Sequence, residues 1–451
     1  MSFLRKNAIV GNSAVLSGQM GNRRKLGGKD METTYNFLLD LALILLTTKI
    51  LGLITRRYNM PQVVGALLAG LLMGPACLNI LHETTFIHDA AEIGVVVLMF
   101  CAGLETDINE LKKSGKASFV IALLGVLVPL AGGFGVAYFF NKPGIIDSDA
   151  SASLFLQNIF IGVILTATSV SISVETLKEM GKLKTRSGNA ILGAAIIDDI
   201  LGIIALTIVT SMADSSVSLG MVLLKIVGFF VFALVVGVAF YYGYKKWEEL
   251  TNRPLHRHAI MVFVFCLLLS YCSEVFFGVA DITGAFVAGL VVSQTQRTQW
   301  LASKFDTISY MFLSPLFFAS IGIKVVLPSM SGKVVAFTVV LVIVAVLTKV
   351  IGCGAGAKMC GYQNYQCARI GVGMISRGEV ALIVADKGSA LGLMGSSFLG
   401  PVVIVVVITT IVTPILLKFV FRFGPSGASG TAALASNYEQ IEKYRQGEME
   451  K

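Results

Sequence analysis

Charge is what this sequence has least of. Only 14% of its 451 residues are charged, while 55% are hydrophobic and the mean hydropathy is +0.79. A soluble domain carries roughly 25% charged residues. A chain this poor in polar surface cannot cover its own apolar side chains in water, which excludes a disordered or soluble repeat protein and argues against a soluble enzyme. Proline is scarce, with 10 residues, so each is read as marking a break. The cysteines Cys77, Cys101, Cys266, Cys272, Cys353, Cys360 and Cys367 contain no C-x-x-C pair and lie mostly in apolar runs, as small buried hydrophobes do. The histidines His82, His88, His256 and His258 sit at loop positions without metal-type partners. No metal framework, disulfide framework or cofactor is expected. No nucleophile–base set or phosphate-binding loop falls in a plausibly soluble region, so an enzyme and a nucleic-acid binder are not expected.

What the chain has instead is long apolar runs. A membrane-spanning helix needs ~20 such residues. Thirteen runs can be read, at 35–55, 61–81, 87–104, 117–140, 153–175, 187–211, 217–244, 258–277, 279–293, 304–324, 334–357, 369–390 and 396–421. The eighth and ninth nearly touch at Gly278. Residues 1–34 stand apart as a basic tail carrying Arg5, Lys6, Arg23, Arg24, Lys25 and Lys29; without residues 1–30 the net charge falls from +9 to +4. Gly27-Gly28 lies just before Met31, and two glycine codons can spell a ribosome-binding site. Met31 is therefore expected to be the true start, the alternative being a disordered basic tail.

Basic residues between the runs set an orientation. Alternate loops hold 17 of them, from Arg56 and Arg57 through Lys182 and Lys184 to Lys358 and Arg369, against 4 in the other set, Lys142, Lys324, Lys333 and Lys387. The richer set belongs in the cytoplasm. Thirteen spans then leave the N-terminus outside and the C-terminus inside. An internal repeat is also visible. Gly65-Ala66-Leu67-Leu68-Ala69-Gly70-Leu71 matches Gly284-Ala285-Phe286-Val287-Ala288-Gly289-Leu290, and the same offset of 219 aligns Gly103-Leu104 with Gly322-Ile323. With a seventh span between them, spans 1–6 and 8–13 must be inverted relative to each other, a design common in secondary transporters.

The sharpest feature is Asp198-Asp199, in the middle of the sixth span. An ionisable group at the bilayer centre costs roughly 2.5–3.5 kcal/mol even on a lenient scale, so such residues mark functional sites. A carboxylate pair suits a site that alternates between a proton and a small cation. Consecutive helical residues point ~100° apart, so one acid can face the cation and the other a neighbouring helix. Lys349, midway along the eleventh span, is the candidate base for one of the two. Thr166-Ala167-Thr168-Ser169-Val170-Ser171-Ile172-Ser173 in the fifth span offers hard oxygen donors and a poor helix former; it reads as a break or as a Ser/Thr packing face. Gly371 through Glu379 in the twelfth span reads as a second break. There Arg377 and Glu379 neutralise each other or compensate helix ends, a structural role in preference to ion ligation. Asp40, Lys49, Asp89 and Asp281 lie near span ends; Glu92, Lys225 and Glu274 lie deeper, as local pairs or pore-side groups.

With the aspartate pair on the page, the sequence resembles the bacterial sodium/proton antiporters of the cation:proton antiporter-2 family across 35–421. The motifs that carry the resemblance are Val64-Gly65 to Gly74-Pro75, Phe100 to Glu105, Thr166 to Val170, Asp198-Asp199, Lys349 and Arg377-Gly378-Glu379-Val380-Ala381-Leu382. The resemblance implies an all-α polytopic protein of the bacterial cell membrane, with two inverted repeats, crossed discontinuous helices and a homodimer. Residues 35–116 and 258–324 would form the dimer domain, 217–244 a linker helix, 117–211 and 334–421 the moving core, and 422–451 a polar cytoplasmic tail. Asp199 and Asp198 would bind Na+ (or Li+) in exchange for H+, with Thr168 and Ser169 beside them and Lys349 paired to Asp198. Two acids imply electrogenic exchange of two protons per sodium. A potassium/proton antiporter or potassium efflux protein of the same family is the alternative, although this chain lacks both the Gln-Asp pair and the nucleotide-binding domain common in such members.

Overall fold

The computed structural model describes residues 36–423, apart from 59, 107, 143, 147, 214–218, 251–255, 296 and 326–329. The basic tail with Met31 and the chain beyond Phe423 lie outside the described residues. Every regular element among the described residues is helical. The elements are α1 (Asn36–Arg57), α2 (Gln62–Met73), α3 (Thr85–Glu105), α4 (Ile108–Phe140), α5 (Leu154–Thr166), α6 (Val170–Glu179), α7 (Arg186–Ala213) and α8 (Leu219–Leu250). They continue with α9 (His256–Phe277), α10 (Asp281–Val292), α11 (Thr298–Ile308), α12 (Ser314–Ile323), α13 (Gly332–Met359), α14 (Asn364–Gly373), α15 (Glu379–Ala390) and α16 (Leu399–Val420). Among the described residues, ten helical stretches are long and apolar enough to cross a membrane, counting α5–α6 as one and α11–α12 as another, and α2 and α10 are shorter apolar helices.

Local chemistry accounts for the boundaries that the apolar runs misplace. α4 begins at Ile108, ahead of the run at 117, because Lys112, Lys113 and Lys116 are good helix formers that extend the span beyond its apolar part. Pro129 and Pro414 do not mark breaks; both lie inside continuous helices. Pro315 does disturb its helix. It has no N–H to continue the ladder from α11, and the chain widens into a π-turn at Ser309–Leu313 before α12 resumes. Gly278, at φ +62°, lets α9 turn back into α10 within three residues, in a conformation that side-chain-bearing residues avoid.

The helices pack through small residues, as membrane helices do. Gly70 of α2 lies against Ala319 and Gly322 of α12, so closely that a Cβ there would sit 2.0 Å from the Ala319 carbonyl. Gly103 of α3 meets Phe286 and Gly289 of α10 in the same way, with 2.3 Å to the Phe286 carbonyl. These glycines belong to the matching sequence motifs: Gly70 meets Gly322, and Gly103 meets Gly289. A second body gathers α4, α5, α7, α13, α14 and α16, with α4 lying along α13. It holds α5 and α14, the first halves of the two interrupted spans, and the second halves, α6 and α15, pack against its α16.

Candidate functional site

The two breaks meet. α5 stops at Thr166 and α6 starts at Val170, leaving Ala167, Thr168 and Ser169 extended. α14 stops at Gly373 and α15 starts at Glu379. At the crossing the Ser169 N–H donates to the Ser376 carbonyl at 2.8 Å, and the Ser376 hydroxyl donates to the Ser169 carbonyl at 2.9 Å. Ser173 ties the same point, its hydroxyl donating to the Gly373 carbonyl at 2.6 Å. Helix ends left open at the middle of a membrane protein need such partners, because no water is there to supply them. The Ser/Thr run therefore serves as a break rather than as a plain packing face.

Arg377 completes the crossing. Its side chain has no exposed surface. Nη2 donates to the carbonyls of Leu165 at 2.8 Å and Ala345 at 3.0 Å, and Nη1 to Ile375 at 3.0 Å. A cation thus sits on the negative end of α5, where the helix dipole favours it. Of the two structural roles open to Arg377, the geometry supports compensation of a helix end. Glu379 opens α15, the end that favours a negative charge; its side chain lies outside the described residues. The Arg377 carbonyl accepts from the Thr410 hydroxyl of α16.

Asp198 and Lys349 face each other beside this crossing. Lys349 Nζ lies 3.1 Å and 3.0 Å from the two carboxylate oxygens of Asp198, and both side chains are buried. Gly125 of α4 and Cys353 of α13 wall the pair. A Cβ on Gly125 would stand 2.6 Å from Cys353 Sγ and 3.5 Å from Asp198 Oδ1. Thr168 neighbours the Asp198 carboxylate, yet its buried hydroxyl meets no protein partner in hydrogen-bond geometry. The Ser169 hydroxyl lies 3.2 Å from that of Ser171 and close to Gly378, so it belongs to the crossing itself. Asp199, one residue round the helix, remains partly accessible. The site thus holds one carboxylate neutralised by a fixed lysine, a second that is partly accessible, and a buried threonine hydroxyl in an opened helix. Sequence reasoning anticipated the pair but missed Gly125, Cys353 and Thr410, whose types are common in membrane helices and carry no signal of their own.

Residues 42–423 match the family described as sodium/hydrogen exchanger, transmembrane. The Na+/H+-K+ antiporter GerN of Bacillus cereus is 38% identical over 406 residues, 89% of this chain and 99% of that protein. A Na+/H+ antiporter of Enterococcus hirae is 38% identical over 389 residues, 85% of this chain and 97% of that protein. Among solved structures, the sodium proton antiporter MjNhaP1 of Methanocaldococcus jannaschii superposes with a TM-score of 0.62, at 18% identity, covering 84% of this chain and 95% of that one. The family match spans most of the sequence and the fold agrees with it: this chain is a multi-pass, all-helical membrane protein belonging to the sodium/hydrogen exchanger family.

Proposed function

We propose that this protein exchanges intracellular Na+ for external H+ by alternating access, with Asp199 as the main carrier of both ions. The observation that carries this reading is the division of labour at Asp198-Asp199. Lys349 neutralises Asp198, which leaves Asp199 as the partly accessible acid beside the broken helices. A partly accessible carboxylate one residue from the Asp198–Lys349 pair can take either a proton or an alkali cation, so the two compete for one site. Antiport follows from that competition without further machinery. The names of the two bacterial relatives support the same exchange. GerN is named as a Na+/H+-K+ antiporter, so potassium is the second cation to test.

Thirteen crossings in two inverted halves make the best account of the elements. The exchanged pairing of α2 with α12 and α3 with α10 supports it, because a two-fold relation between halves produces such swaps. On this reading α1–α3 and α9–α12 form a static scaffold, and the dimer contact of the homodimer. α8 is the linker, and α4–α7 with α13–α16 form the moving core. Basic residues then place the N-terminus outside and the C-terminus in the cytoplasm of the bacterial cell.

Proteoliposomes under an imposed pH gradient test the exchange. Sodium uptake coupled to proton release is expected, with lithium and potassium compared in the same vesicles. Asp199→Asn is expected to abolish exchange, since an amide cannot titrate. Wild-type rates in that variant would remove Asp199 as the carrier.

A further inference from the structure

The last two residues of α6 reach out of the core. Lys178 Nζ lies 3.3 Å from Glu105 Oε1 at the end of α3 and pairs as well with Asp306 of α11. Glu175, one turn earlier on α6, also faces this cation. Glu179 accepts the Gln62 N–H, at 2.7 Å and 2.8 Å to its two oxygens, at the first turn of α2. The need for that bond is written in α2 itself. Its N-cap is Pro61, which supplies no side-chain cap; the Val64 N–H reaches the Pro61 carbonyl, while the Gln62 N–H finds its acceptor on α6. A carboxylate at a helix N-terminus makes a charge-assisted cap. Here α6 lends that cap to a helix of the other body. Lys178 in turn separates carboxylates that would otherwise repel across the same seam. Towards the other end of α3, a cleft lined by Glu92, Phe317, Lys324 and Leu382 stands between α15 and the helices α3 and α12.

We propose that Lys178 and Glu179 form a latch: two positioning residues that close the cytoplasmic end of the transport path by fastening the core to α2, α3 and α11, and whose release turns the cation site toward the cytoplasm. The proposal rests on the antiport reading and its orientation. α6 is the inner half of the first broken helix and runs unbroken from the Ser169 crossing to the latch. Movement of the crossing therefore has to part these contacts.

Two measurements on the full-length protein in oriented vesicles test it. First, Lys178→Cys with Asp306→Cys, in a background lacking the native cysteines, is joined by a short reducible crosslinker. Exchange is expected to stop on joining and return on reduction. A pair that will not join, or a joined protein that still exchanges at the reduced rate, overturns the latch. Second, Lys178→Gln with Glu179→Gln should lower the sodium KM at the cytoplasmic face about tenfold relative to the outer face, the shift expected from losing a charge-assisted bond in one of two states. Lys178→Arg is expected to keep the wild-type ratio. An unchanged ratio of the two KM values, with only rate or thermal stability lowered, means a purely structural contact and also overturns the proposal. Wild-type vesicles without sodium-driven proton flux would sink the antiport reading instead. In that case deuterium uptake at the Gln62 and Val63 amides still decides the contact: it rises in Glu179→Ala, and unchanged uptake overturns the latch.

Discussion

Lys349 has no exposed surface and sits in the middle of a membrane-crossing helix, a position that only a buried counter-charge makes tolerable. Removing one partner of such a pair strands the other. Lys349→Gln is therefore expected to cost about 3–5 kcal/mol of stability. Replacing both, as Asp198→Asn with Lys349→Gln, is expected to recover most of that, because two neutral amides need no ionic compensation. Thermal unfolding in detergent measures both, and a double variant as unstable as the single one would show that the pair is not the reason for the loss. This pairing was legible in the sequence, since a lysine and an aspartate stranded in apolar runs have few other solutions. The partners of Arg377 were not. Three backbone carbonyls from α5, α13 and its own segment hold it, and carbonyls leave no mark in a sequence. The cross-body role of Lys178 was equally hidden, because a lysine at the end of an apolar run reads as a loop charge.

Between elements, the tightest constraint on the site is the approach of α4 to α13 at Gly125. Gly125→Ala pushes a methyl against Cys353 Sγ and toward the carboxylate of Asp198. Overpacking of this kind costs about 1–3 kcal/mol, and here it also tilts the ion pair. Exchange is expected to fall, and Gly125→Ala with Cys353→Ala is expected to restore it by returning the space. No rescue in the double variant would mean that the glycine serves something other than this contact. A smaller link joins the loop before α5 to the start of α16. Asp149 accepts from the Ser396 N–H at 2.7 Å and from its hydroxyl at 2.8 Å, and these two bonds hold its carboxyl below the usual carboxylate range. A depressed pKa means that this contribution is present above the unfolded value, near ~3.9, and is lost only as pH falls through the lower folded value. Slowed deuterium exchange at the Ser396 amide is expected to persist unchanged from neutral pH down to mild acid. The breaks themselves were readable from glycine, serine and threonine clusters. The π-turn before α12 was not, since Pro315 alone does not distinguish a kink from a widened turn.

At the scale of the molecule, the glycines of the two short sequence motifs serve as packing points, α2 lying on α12 and α10 on α3. Charge then decides what a cycle is worth. If two protons enter for each sodium that leaves, each turn moves one net charge. A membrane potential then contributes about 2.3 kcal/mol per 100 mV, enough to shift the exchange equilibrium by more than tenfold. Sodium is accordingly expected to be driven out by an inside-negative potential even with no pH gradient. If the second proton passes through the Asp198–Lys349 pair, the voltage dependence is expected to disappear in Lys349→Gln while residual exchange continues through Asp199. Reversal potentials on a solid-supported membrane distinguish this from the simpler role in which Lys349 only neutralises Asp198. An active Lys349→Gln protein that still moved one charge per sodium would take the lysine out of the proton path.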